Sequence, residues 1–134
     1  MAREAIYKEM EKMFGVVPSF IKGIPDSVLE PEWNLFKTLQ LTEGPIPSKY
    51  RALIGLGVAA AARCRYTELF FREVAMVNGA TPGEIEHAVH SAAAASALST
   101  YVNGLRIDYD QFRKELESAS RHVRAVKTGE KKVA

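Results

Sequence analysis

The chain has one thiol and three imidazoles among the groups able to act as nucleophile, acid, base or metal ligand. Cys64 stands between Arg63 and Arg65, where an apolar run ends and a new helical pattern begins. A thiol at a helix N-terminus beside two guanidinium groups is drawn toward thiolate, its nucleophilic form. That would suit one-cysteine peroxide chemistry with an outside thiol as reductant. The competing reading is packing, because a lone cysteine commonly serves as a small buried hydrophobe. A single cysteine excludes an internal disulfide and any mechanism needing two thiols in one chain, and it fits a reducing cytoplasm.

His87 and His90 lie three apart with Glu84 and Glu86 within a turn, so on a helix both imidazoles point to one side. This resembles one edge of a metal site. A catalytic zinc needs three ligands and a converging second element, and the familiar helical spacing of two histidines is four. The pair therefore reads as polar residues at a helix surface or subunit interface, gathered with symmetry mates at an oligomer axis in the sharper version. No metal and no cofactor is expected. Glu68 and Arg72 stand four apart and suit a helix-surface ion pair more than an acid–base couple. Phe70 and Phe71, with Leu69, Val74 and Met76, read as core or interface packing before a ligand pocket.

The elements that must hold these groups are all helical. No run shows the period-two alternation of a strand, so the sequence predicts an all-α single domain of six to seven helices. The first spans Arg3 to Phe14, with Ile6, Met10, Met13 and Phe14 on one stripe and Gly15 ending it at positive φ. A short helix covers Ser19 to Lys22. After Gly23 and Pro25, Asp26 or Ser27 caps a turn, and Pro31 opens a helix to about Leu41 whose buried face is Trp33, Phe36, Leu39 and Leu41. The breaker from Glu43 to Pro47 separates an N-terminal arm, residues 1–47, from a core, residues 48–127. Ser48 caps the next helix, to about Arg63. A helix from about Arg65 to Asn78 closes on Gly79, and Thr81, Pro82 and Glu84 form a capping box with proline at the first helical position.

The helix from Pro82 to about Asn103 is apolar nearly all round, more than so small a domain can hide, which points to cover by another subunit. A last helix from Asp108 uses Tyr109, Phe112, Leu116, Ala119 and Val123. It frays beyond Lys127 into a solvated tail, residues 128–134, and across the last turns of the helix and this tail Arg121, Arg124, Lys127, Lys131 and Lys132 gather against Glu130 alone.

Composition agrees. With 134 residues, 47% apolar, 25% charged and a net charge of +2, the chain is one ordinary globular domain that needs no staple. Its longest apolar run, Leu53 to Ala62, falls well short of the ~20 residues of a spanning helix. The start lacks the apolar segment of a signal peptide. No groove-reading element accompanies the basic residues, so neither nucleic acid nor membrane is an expected partner.

Beyond these patterns, the order LIGLGVAAAARC, an aromatic at Tyr66 and then NGATPGEIEHAV resembles the alkylhydroperoxidase D-like and carboxymuconolactone decarboxylase family. FGVVPSFIKGIPDSVLEPEW and LSTYVNGLRIDYDQF extend the likeness over roughly Met10 to Glu117. The resemblance implies a small all-α fold assembled as trimers or hexamers. It also implies a thiol peroxidase centre: a C-x-x-C pair, a histidine four residues on and a glutamate on the preceding helix. The helix start acidifies the attacking thiol, the other thiol resolves the sulfenic acid, and carboxylate and imidazole move protons. On this chain the first cysteine falls on Cys64, the second on Thr67, the histidine on Phe71 and the glutamate on Ala52. In the family the resemblance points to, the second cysteine is the attacking one, which would make Cys64 the resolving thiol that remains. The decarboxylase branch also uses a histidine where Phe71 stands.

Three functions follow as expectations: a homo-oligomeric scaffold or assembly protein with a degenerate site, a thiol-dependent peroxidase using Cys64 alone or with an external reductant, or a decarboxylase of a small cyclic lactone acid using Arg51, Glu68 or His87. Beyond other copies of the chain, a small-molecule ligand or an external thiol reductant is the expected partner.

Overall fold

In the computed structural model, which describes residues 2–129, every regular element is helical and no strand occurs among the described residues. The order is α1 (Arg3–Phe14), a 3₁₀ turn (Ser19–Gly23), α2 (Asp26–Phe36) running into a π-helical turn (Lys37–Leu41), α3 (Ser48–Ala61), α4 (Arg65–Val77), α5 (Pro82–Gly104) and α6 (Tyr109–Lys127). None of the described helices is long and apolar enough to cross a membrane. The anticipated tail lies outside the described residues from Glu130 onward.

Local chemistry sets most boundaries. Gly15 ends α1 at φ 75° and Gly79 follows α4 at φ 88°, both in the left-handed region that glycine enters at no steric cost. At α5 the capping box forms in both directions: the Glu84 amide donates to Thr81 Oγ1 at 3.1 Å, and the Thr81 amide donates to Glu84 Oε1 at 3.1 Å. Asp108 caps α6, its carboxylate accepting from the Gln111 amide at 2.8 Å.

Two boundaries differ from the sequence reading. Pro31 does not open a helix but sits inside α2, which starts at Asp26 behind Pro25. Pro25 already supplies the entry turn, and Pro31 forfeits only one backbone hydrogen bond near that end. Ser48 is the first residue of α3 and caps nothing with its side chain, because its hydroxyl accepts from Arg51.

The chain divides within α5 into two compact units, one ending at Ala92 and the other beginning at Ala93. The first holds two hydrophobic clusters. Ile6, Met10, Leu29 and Trp33 form the core of the N-terminal arm. Trp33 is the one tryptophan; it stacks on Phe36 at 5.6 Å, and its Nε1 donates to Glu9 Oε2 at 2.8 Å. Lys37 closes the group, its Nζ 3.1 Å from Glu9 Oε1 and over the indole ring. Leu39 and Leu41, expected on this buried face, are exposed, because the π turn shifts the helical phase away from it.

The second cluster is Ala52, Leu56, Ala75, Ala80 and Ile85, packed by Leu53, Phe71, Val74 and Val89. Its small residues let backbones approach: a Cβ on Gly57 would meet Ala92 Cβ at 3.6 Å and the Ala88 carbonyl oxygen at 3.9 Å, an ordinary contact distance. Phe36 meets Phe70 at 6.0 Å, and Arg51 Nη1 donates to the Leu39 carbonyl at 2.6 Å, joining arm to core. Among the described residues of the second unit none is buried, and Leu98, Tyr101, Leu105 and Tyr109 are all exposed.

Candidate functional site

Cys64 is the N-cap residue of α4, with extended backbone, and it follows Arg63, which turns the chain at φ 56°. Arg63 is where α3 must stop: a left-handed, non-glycine residue cannot continue a right-handed helix. Half-buried, Cys64 carries a thiol held below its ordinary pKa. The Thr67 hydroxyl is the main cause, followed by the backbone N–H groups of Thr67 and Tyr66, while burial and the Glu68 charge oppose them. The same hydroxyl stands 3.4 Å from the Cys64 carbonyl oxygen, and its single proton serves one acceptor at a time. Once the thiol ionises, the sulfur is the stronger acceptor.

The helix start contributes as the sequence reading expected, but the flanking arginines do not, and Thr67 leads. Arg65 lies over the Tyr66 ring at 5.3 Å, and Arg63 is exposed. Glu68 does not pair with Arg72 among the described residues; its carboxylate stands close enough to Cys64 to oppose ionisation.

Ala52 and Phe71 are brought together across α3 and α4. Ala52 is fully buried, and Phe71 packs on the cluster it belongs to. The Phe71 ring presses on α3 at Gly55, where an added Cβ would lie 2.5 Å from Cδ1 and Cε1. Phe70 braces it from the side, with ring centres 5.0 Å apart and planes at 83°. No proton donor or acceptor belongs to a methyl or a phenyl group, so these two positions supply adhesion and no proton transfer.

The other candidates are dispersed. His87 and His90 are exposed on α5, and no group of three or more His, Cys, Asp or Glu able to hold a metal occurs among the described residues. Glu84 serves its capping box and accepts from Lys49 Nζ at 2.9 Å; Lys49 and Thr81 together hold its carboxyl below the usual range. Arg51 is a strut: Nη1 holds the Leu39 carbonyl and Nη2 the Ser48 hydroxyl at 2.9 Å, while buried Nε has no partner. The sequence offered no signal for this, since both acceptors are set by the π turn and the start of α3. Among the described residues, a shallow groove along α6 is lined by residues of that helix and contains none of the candidate residues.

Comparison with known proteins agrees with this architecture. The crystal structure of the alkylhydroperoxidase AhpD core from Rhodospirillum rubrum is similar in fold, with a TM-score of 0.73 over 81% of this chain and 82% of that one at 22% identity. No curated protein sequence matches the chain. A sequence model of the carboxymuconolactone decarboxylase family matches residues 31–108, which include Ala52, Cys64, Thr67 and Phe71. With more than half of its length in that match, on an all-α fold of the same type, the chain belongs to the carboxymuconolactone decarboxylase family.

Proposed function

We propose that the chain is a homo-oligomeric scaffold or assembly protein built on this family's fold, its two-thiol reaction centre replaced by packing. The carrying observation is the Phe71 ring seated on Gly55 beside buried Ala52: hydrocarbon fills the place where imidazole and carboxylate would exchange protons. Thr67 stands in the attacking position, and a hydroxyl cannot form the sulfenic acid on which the thiol route depends. Trimeric or hexameric assembly is supported by the exposed apolar side chains of α5 and α6. A lone thiol supports a reducing, cytoplasmic setting.

The test is hydroperoxide turnover with a dithiol reductant, comparing the chain with Cys64→Ser. Negligible and equal rates are expected; brisk turnover abolished by blocking Cys64 overturns the proposal. Activity gained on introducing Thr67→Cys with Phe71→His would support a preserved frame with lost chemistry.

A second reading rests on the lowered pKa of the Cys64 thiol, caused first by the Thr67 hydroxyl and then by the Thr67 and Tyr66 amides at the start of α4. The thiolate would attack the peroxide O–O bond, releasing alcohol or water and leaving a sulfenic acid. An external thiol would then condense to a mixed disulfide with loss of water, and a second would restore Cys64. Trapping of a sulfenic acid on peroxide addition favours this reading over the first.

A further inference from the structure

We infer that α6 is a self-association surface, pairing antiparallel with α6 of a second copy of this chain. The inference rests on the homo-oligomer reading and gives it a specific contact. No residue of α6 is buried; Leu116 is 50% exposed and Val123 49%. A helix of this length gains most of its stability from packing an apolar face, so a face left half in water calls for a partner.

The pattern on that face names the geometry. Tyr109, Phe112, Leu116, Ala119, Val123 and Val126 recur at alternating intervals of three and four residues, the 3.5-residue period of a two-helix seam. This seam starts past the end of the family match at residue 108, so it is a feature of this chain outside the matched residues.

Charge and size both select the antiparallel direction. From Asp108 to Glu117 the helix start carries four carboxylates and two cations, Arg113 and Lys114. From Ser118 to Lys127 it carries Arg121, Arg124 and Lys127 and no carboxylate. Antiparallel pairing lays the acidic half of each copy on the basic half of the other, whereas parallel pairing sets like on like. Beside the seam, Glu115 comes next to the partner's His122. In the antiparallel register each layer joins a large side chain to a smaller one: Tyr109 with the partner's Val126, Phe112 with the partner's Val123, Leu116 with the partner's Ala119. In parallel, Phe112 would meet itself and Ala119 would face alanine across a gap, the poorer packing.

The experiment is light scattering after size exclusion on the full chain and on Leu116→Asp. It is joined by distance measurement between single spin labels placed at Ser118→Cys or Asp110→Cys in a Cys64→Ser background. Leu116→Asp is expected to halve the mass or more, and its side chain lies on no intrachain core. Labels at Asp110→Cys should lie farther apart than those at Ser118→Cys, because the antiparallel register separates them by about 22 Å along the axis. An oligomer unchanged in Leu116→Asp, or equal distances at both sites, overturns the α6 seam and leaves the homo-oligomer reading standing. A monomeric parent chain overturns both, and if that monomer binds anionic vesicles the face belongs to lipid.

Discussion

The Phe71 ring rests on the backbone of Gly55, with a Cβ at that position falling 2.5 Å from the ring. The absence of a side chain on α3 is therefore what admits an aromatic ring on α4. Alanine at Gly55 would gain about 1 kcal/mol of helix propensity. It would also overpack the ring, which Phe70 prevents from retreating freely, at about 1–3 kcal/mol. Gly55→Ala is expected to lower stability by about 1 kcal/mol in chemical denaturation. Combined with Phe71→Ala, the same change should become stabilising; a cost unchanged in the double variant would refute the contact.

Cys64 owes its acidity first to the Thr67 hydroxyl. Thr67→Val is expected to raise the thiol pKa and Thr67→Ser to leave it near the parent value, read from thiolate absorbance against pH. Removing the Arg65 charge with Arg65→Gln should move it much less. Since the folded thiol lies below its unfolded value of about 8.5, ionisation stabilises the fold above that pH, and the contribution is lost as pH falls through the folded value.

Thr81 and Glu84 start α5 reciprocally. Thr81→Ala should cost about 1 kcal/mol, and Thr81→Ser much less. Glu84 also has its pKa lowered by Lys49. Its contribution is present above the unfolded carboxyl value of about 4.3 and disappears as pH falls through the lower folded value. Glu84→Gln should therefore flatten the acid limb of the stability curve while keeping the acceptor for the Thr81 amide.

Arg51 joins the N-terminal arm to the core through the Leu39 carbonyl. Arg51→Ala should cost about 1.5 kcal/mol, near the lower end for a charged donor, because Leu39 is solvent-exposed. Amide exchange should show the π turn opening sooner. Arg51→Lys cannot reach both acceptors with one ammonium and should recover only part of the loss.

Much of this was readable in the residues. Arg3–Phe14 with Gly15, the Thr81–Glu84 box and the Asp108 start follow from rules that act over four or five residues, and the structure carries each of them. Pro31 misled because proline favours a first turn, yet Pro25 had already opened α2. Leu39 and Leu41 misled because a π turn adds a residue to the period, and no spacing rule in the sequence announces it. At the site, Cys64 and Thr67 are neighbours along one helix, so their hydrogen bond is local. Phe71 over Gly55 depends on the register of α3 against α4, which only tertiary packing fixes.

The Glu9, Lys37 and Phe36 cage around the sole indole has a practical consequence. Fluorescence excited at the red edge of protein absorption comes from this one residue, shielded from solvent and held by a carboxylate at its nitrogen. The first 41 residues thus carry their own optical gauge: a shift of emission to longer wavelength in a titration reports loosening around Trp33 in that segment.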